Sequence, residues 1–111
     1  MLRTSSLTTN GQFHRVYKKG TAAVRPCLVV YRRPNGGGDN RLGFTVGSKV
    51  GKAVTRNRVR RRLREIYRLH EGSFAVGQDI VVVARARAAT VAYSRLEEEL
   101  LSAMTELSLL P

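Results

Sequence analysis

The run Ile80-Val81-Val82-Val83-Ala84 constrains this chain more than any other segment. It is apolar without interruption and rich in branched residues, the pattern of a central strand covered on both faces. The strand is placed at about Gln78 to Arg85. The rest of a 111-residue chain must then flank that strand and cover it. A chain this long fits one domain, residues 1–111, and buries about two-thirds of its unfolded surface.

The remaining elements follow from local signals. Residues 1–8 are expected to be loosely ordered. Thr9 and Gln12 have the spacing of a capping box, and Phe13, Val16 and Tyr17 follow at helical spacing, so a helix is predicted over 10–19 with Gly20 as a left-handed stop. A strand is predicted from about Ala22 to Arg33, then a turn through Pro34-Asn35-Gly36-Gly37-Gly38-Asp39-Asn40, then a return strand at Arg41 to Val46, the two pairing as an antiparallel hairpin with a mobile tip. Gly47 to Lys52 reads as a flexible basic loop. A long helix from Ala53 to His70 carries an apolar stripe of Val59, Leu63, Ile66 and Tyr67, with Gly72 as its stop. A last helix starts near Thr90 or Ser94, with Ser94 and Glu97 as a second capping box and Leu96, Leu100, Met104 and Leu107 facing inward. The order α-β-β-α-β-α gives an α+β sandwich, one sheet packed by helices.

Charge points to function. Lys and Arg number 20 against 8 Asp and Glu, a net charge of +12, so polyanions are the expected partners. The long helix concentrates the excess: Arg56, Arg58, Arg60, Arg61, Arg62, Arg64 and Arg68 are opposed by Glu65 alone, and Lys49 and Lys52 precede them. Arg56, Arg60 and Arg64 line one edge; Asn57, Arg61, Arg64 and Arg68 line the adjoining one. A merely solvated face mixes signs at spacings of three and four; this one repels itself, which calls for a counter-charge. Arginine fits phosphate bidentately and stacks on bases. Gly47 to Lys52 is not a nucleotide-binding P-loop, because Gly47 and Gly51 enclose three residues where that motif needs four and Ala53 stands where it needs a hydroxyl. It suits a phosphate-contacting loop at a helix N-terminus.

Phe13, Tyr17 and Tyr31 are either core or a stacking platform for unpaired bases; sequence alone leaves both open. Catalysis by the polypeptide finds no support. Glu97, Glu98, Glu99 and Glu106 read as the solvated face of the last helix, Asp39 lies in a glycine turn and Asp79 opens a strand. His14, His70 and the single Cys27 lack metal-ligand spacing, so neither a catalytic residue nor a metal ligand is assigned. Cys27 reads as a small buried hydrophobe in a reducing compartment. No stretch is long and apolar enough to span a bilayer, and the N-terminus lacks an apolar signal-peptide core; a soluble cytoplasmic protein is expected, without a membrane or DNA partner.

Lys49-Val50-Gly51-Lys52-Ala53-Val54-Thr55-Arg56-Asn57-Arg58-Val59-Arg60-Arg61-Arg62-Leu63-Arg64-Glu65, together with Phe13, Val16, Tyr17, Gly20 and the strand Leu42-Gly43-Phe44-Thr45-Val46, resembles the protein subunit of bacterial ribonuclease P. The resemblance runs from Phe13 to the last helix and centres on the Arg-Asn-Arg helix. It implies a left-handed crossover around that helix, against the usual right-handed rule. It also implies a role: a catalytic RNA removes the 5′ leader of precursor tRNA by Mg2+-dependent hydrolysis, and the small protein binds that RNA and holds the leader. On this chain, Lys49, Lys52, Arg56, Asn57, Arg58, Arg61, Arg62 and Arg68 would face the catalytic RNA. Phe13, Tyr17 and Tyr31 would form the leader cleft, with Arg60 and Arg64 at its edge. A ribosomal or other structural RNA-binding protein is the alternative, separated by which RNA co-purifies. A DNA regulator would place a short helix and tight turn before its recognition helix, where this chain has strands. A membrane-surface helix would need a broad apolar face, and the stripe here is required by the core.

Overall fold

The computed structural model describes Met1 and residues 3–111. Five strands form one sheet in the order β1-β4-β5-β3-β2, where β1 is Thr4–Ser6, β2 Thr21–Val24, β3 Leu28–Pro34, β4 Asn40–Thr45 and β5 Gln78–Ala84. The helices are α1 (Asn10–Lys19), α2 (Ala53–His70) and α3 (Tyr93–Glu106). The apolar run of β5 is central, as its pattern requires. Ile80, Val82 and Ala84 face one core and Val81 faces the other, and each of these four is buried.

The strand partners differ from the expected hairpin. β3 and β4 are not neighbours; β5 lies between them, antiparallel to β3 and parallel to β4. Hydrogen bonds on both edges of β5 satisfy the backbone of this largely buried strand. The glycine-rich connection therefore passes over the entry to β5 and is anchored there. Asn35 donates its backbone N–H to the Gly77 carbonyl at 2.8 Å and its side-chain amide to Asp79 at 3.0 Å. The chain from β4 through α2 to β5 is a parallel crossover.

The expected strand over 22–33 is two strands. Pro26 interrupts it, and β2 folds back antiparallel on β3 from Thr21↔Arg32 to Val24↔Val29. The N-terminus is ordered too. β1 pairs in parallel with β4, Leu7 is buried, and the Thr4 hydroxyl donates to Glu71 and sits 3.0 Å from the Tyr67 hydroxyl. These partners lie far off in sequence, which is why no local pattern announced them; Leu2, part of the same expectation, lies outside the described residues.

Helix ends show the same contrast. Thr9 and Gln12 form the capping box of α1. Gly20 ends α1 in extended, not left-handed, backbone; glycine is needed because a Cβ would lie 2.4 Å from the Val16 carbonyl and 2.5 Å from that of Arg32. α2 passes into a 3-10 turn at Glu71–Ser73 rather than stopping at Gly72. α3 begins at Tyr93 without a side-chain cap, and Glu97 pairs with His70 instead of closing a box with Ser94.

The two faces of the sheet are covered unequally. On one side α2 and α3 pack Val59, Leu63, Ile66, Tyr67, Leu96, Leu100, Ala103 and Met104 into the main core. On the other, α1 alone lies across β3 and β5, closing a small core of Leu7, Val16 and Val81 with Phe13, Tyr17, Tyr31 and Val83 half-buried around it. Glu99, read as solvated, is buried: it accepts from the Cys27 N–H at 2.8 Å and from Arg95 at 2.7 Å. Burial pushes its carboxyl up, but those hydrogen bonds outweigh it and hold Glu99 below its ordinary range. Burial, reinforced by Glu99, raises the Cys27 thiol, which suits an unreactive packing residue.

Candidate RNA interface

With Val59, Leu63, Ile66 and Tyr67 turned into the core, the arginines of α2 are distributed over its remaining surface. Their partners divide them into groups. Arg58 donates to the Ala89 carbonyl at 2.8 Å and Arg62 to that of Val91 at 3.4 Å, so both lean over the turn before α3. Arg68 pairs with Glu65 at 2.8 Å. The guanidinium groups of Arg56, Arg61 and Arg64 have no hydrogen bond or ion pair among the described residues. Arg61 and Asn57 are exposed at the outermost part of the helix. Asn57 accepts from Arg60 at 3.0 Å and so steers that guanidinium.

The loop before α2 is not flexible chain but a 3-10 turn over Ser48–Val50, pinned by buried Val50. It leaves Lys49 and Lys52 exposed beside the helix N-terminus, where free N–H groups also favour anions. The exposed cations and the helix end thus form one continuous positive surface.

A groove runs beside it. Its wider part, about 570 Å³, is lined by Asn10, Phe13, His14, Tyr17, Phe44, Thr45 and Val46. The narrower part, about 180 Å³, lies between β1 and Phe13 on one side and Arg60 and Arg64 on the other. Gly43 lines the narrower part. A Cβ there would lie 2.4 Å from the Phe13 ring, so glycine is what lets Phe13 lie flat on β4. Tyr17 is held by its hydroxyl, 2.6 Å from that of Thr45, and Tyr31 meets the Tyr17 ring edge to face at 5.0 Å.

The structure therefore brings Phe13, Tyr17, Arg60 and Arg64 to one groove, with Tyr31 joined to it through Tyr17. The three aromatics are neither plain core nor freely exposed; each is half-buried. The sequence reading missed β1, Phe44 and Thr45 as parts of this site. For Phe44 the available signal was alternation along β4, which puts Gly43 and Phe44 on opposite faces of that strand.

Asp79, read as opening a strand, is buried at the start of β5. Arg41 grips it with two hydrogen bonds of 2.8 and 2.7 Å, and Asn35 adds a third. Burial raises the Asp79 carboxyl, but these bonds prevail and hold it below the ordinary carboxylate value. Among the described residues no three His, Cys, Asp or Glu side chains gather in a way that could hold a metal ion. No helix among the described residues is long and apolar enough to cross a membrane.

Fold and surface together define a small α+β protein whose arginine-rich helix α2 and adjoining aromatic groove suit a polyanion. Comparison with known proteins narrows that class. The family model described as Ribonuclease P matches residues 1–108. The chain is 39% identical over 104 residues to the ribonuclease P protein component of Alkaliphilus oremlandii, covering 94% of this chain and 91% of that one. It is 37% identical over 110 residues to that of Alkaliphilus metalliredigens, covering 99% of each. Among solved structures, the RNase P protein of Staphylococcus aureus superposes with a TM-score of 0.88 at 30% identity, over 96% of this chain and 97% of that one. That of Thermotoga maritima gives 0.81 at 34% identity, over 88% and 93%. The chain belongs to the ribonuclease P protein family. It has the role of a protein subunit in a tRNA-processing endoribonuclease, a ribonucleoprotein with an RNA partner.

Proposed function

We propose that this subunit binds the catalytic RNA of ribonuclease P through the outer surface of α2 and holds the 5′ leader of precursor tRNA in the groove beside it. Lys49, Lys52, Arg56, Asn57, Arg58, Arg61, Arg62 and Arg68 serve the first task. Phe13, Tyr17 and Tyr31 serve the second, with Arg60 and Arg64 at the rim. One observation carries the reading: a cationic surface opposed on its own helix by Glu65 alone and a half-buried aromatic groove share the Arg60–Arg64 flank of α2. Phosphates of a structured RNA meet the first, where neutralisation releases counterions. A single strand meets the second, where stacking on rings tolerates many base sequences.

In this reading the hydrolysis belongs to the RNA, with Mg2+ bound chiefly there, and the protein contributes positioning. The compartment is the cytoplasm, where the lone thiol of Cys27 stays reduced. The test is reconstitution of the protein with the catalytic RNA and assay of leader removal at low Mg2+. Addition of protein should raise cleavage of precursor tRNA, and affinity for precursor should rise with leader length while affinity for mature tRNA does not. The double variant Arg58→Ala and Arg61→Ala should assemble poorly. If it assembles like wild type at moderate salt, α2 is not the RNA face; if rigorously RNA-free protein cleaves precursor tRNA, the assignment of chemistry to the RNA fails.

A further inference from the structure

β1 stops short of covering β4. Their register begins at Thr4↔Asn40 and ends at Ser6↔Leu42. On this edge Asn40 donates to the Arg3 carbonyl and Leu42 accepts from the Leu7 N–H. Alternate residues of a strand address the same neighbour, so the next backbone pair aimed outward belongs to Phe44. Its N–H and C=O have no strand partner on that edge among the described residues. The edge stays open where the two parts of the groove meet, since Phe13 and Phe44 line both.

The Phe44 ring lies on the opposite face of β4 from Phe13. It is half-buried, packed on one side against the main core, with the Arg64 guanidinium 5.9 Å from its centroid on the other. The Arg64 side chain is exposed and has no hydrogen bond or ion pair among the described residues, so only its contact with the ring holds it there. A base held between two planar groups needs about 7 Å between them, twice a van der Waals spacing of about 3.5 Å. The centroid distance is the upper limit of the gap between the two groups, so Arg64 must withdraw by at least about 1 Å to admit one.

We propose that Phe44 and Arg64 form a second stacking step for the leader, in which one unpaired base lies on the Phe44 ring at the open edge of β4 under the Arg64 guanidinium. The inference rests on the groove being the leader site. It adds a position separate from Phe13, Tyr17 and Tyr31, on the other face of the strand. The open backbone N–H and C=O of Phe44 offer the base edge a donor and an acceptor, and Arg64 supplies a cation for the flanking phosphate.

The experiment uses the reconstituted holoenzyme with precursor tRNAs whose leaders are intact or carry one abasic nucleotide, scanned position by position. Phe44→Leu keeps an apolar side chain against the core and removes the ring face; Phe44→Ala is its companion. Both should lose about tenfold in affinity for precursor tRNA, with affinity for mature tRNA and for the catalytic RNA unchanged. At one leader position, the abasic substitution should cost wild type about tenfold and cost Phe44→Leu nothing further. That coupling is not produced by a packing role. If Phe44→Ala fails to fold, Phe44→Leu decides alone. A wild-type enzyme indifferent to leader length overturns the cleft assignment and this inference with it. A leader-dependent wild type, matched in precursor affinity and in every abasic penalty by Phe44→Leu, overturns this inference and leaves the cleft standing.

Discussion

The two faces of the sheet do different work. The face under α2 and α3 is closed: its large side chains, Leu63, Ile66, Tyr67, Leu96 and Leu100, are fully buried. The face under α1 is left partly open, and its rings, Phe13, Tyr17 and Tyr31, are shared between core and groove. One helix cannot cover a face that two helices cover on the other side. The shortfall is where the groove lies. Stability is therefore concentrated on the closed face, while the open face holds apolar surface in contact with water.

This division is tested most sharply on the closed face. Leu63→Ala should cost about 2–5 kcal/mol in urea denaturation, the range for emptying a buried leucine site. The fraction that remains folded should still prefer precursor over mature tRNA. A lost preference in well-folded protein would mean that the two faces are not separable.

Asp79 is the next test, since it ties β5 to the loop and to β4 from beneath. Asp79→Ala leaves Arg41 and Asn35 without their acceptor and should cost about 1–3 kcal/mol of stability. It should also change the pH profile. Asp79 and Glu99 are both held below their ordinary values, so their contributions are full above an unfolded pKa of about 4 and are lost as pH falls through the lower folded values. Denaturation midpoints measured from pH 7 down to pH 2 should fall less steeply in Asp79→Ala than in wild type. An identical slope would show that the buried carboxylate does not report on acid stability.

On the open face, Tyr17→Ala should weaken binding of precursor tRNA by about 1–3 kcal/mol, the usual worth of a base stacked on a ring. Its melting temperature should fall less than that of Leu63→Ala, because Tyr17 is only half-buried. Equal weakening of precursor and mature tRNA binding would assign Tyr17 to the core alone.

The smallest effect belongs to Arg61, exposed and without a partner among the described residues. Arg61→Ala should leave stability unchanged and lower the salt dependence of RNA affinity by about one contact, a change of roughly 0.7–0.9 in the log–log slope. An unaltered slope would remove Arg61 from the RNA face.

What the sequence revealed tracks how local each cause is. α1 was legible to the residue because Thr9 and Gln12 cap it within one turn. The inner faces of α2 and α3 were legible from spacing, and β5 from its apolar run. Strand pairing was not, because β4 lies tens of residues from β1 and β5 tens of residues from β3, and hydrophobic pattern does not name a neighbour. Glu99 was misjudged by its company in Glu97 and Glu98. It stands three residues after Leu96 and four before Ala103, squarely on the buried stripe, and that spacing was the signal. The cations of the site were plain in the sequence, since charge needs no tertiary context. The groove was not, because it exists only where α1, β1, β4 and α2 converge.

The crossover that joins β4 to β5 through α2 bears on the entropy of association. Many basic segments that bind nucleic acid are disordered until they do so, and ordering the chain then subtracts from affinity. Here the arginines stand on a helix whose two ends continue into adjacent parallel strands at the centre of the sheet. Val59, Leu63, Ile66 and Tyr67 fix its rotation about its own axis. The backbone beneath the cations is thus already in place, and only side-chain rotamers remain to be lost on contact. Rigidity of this kind turns a density of positive charge into a spatial template, one that can favour a particular arrangement of phosphates over polyanions in general.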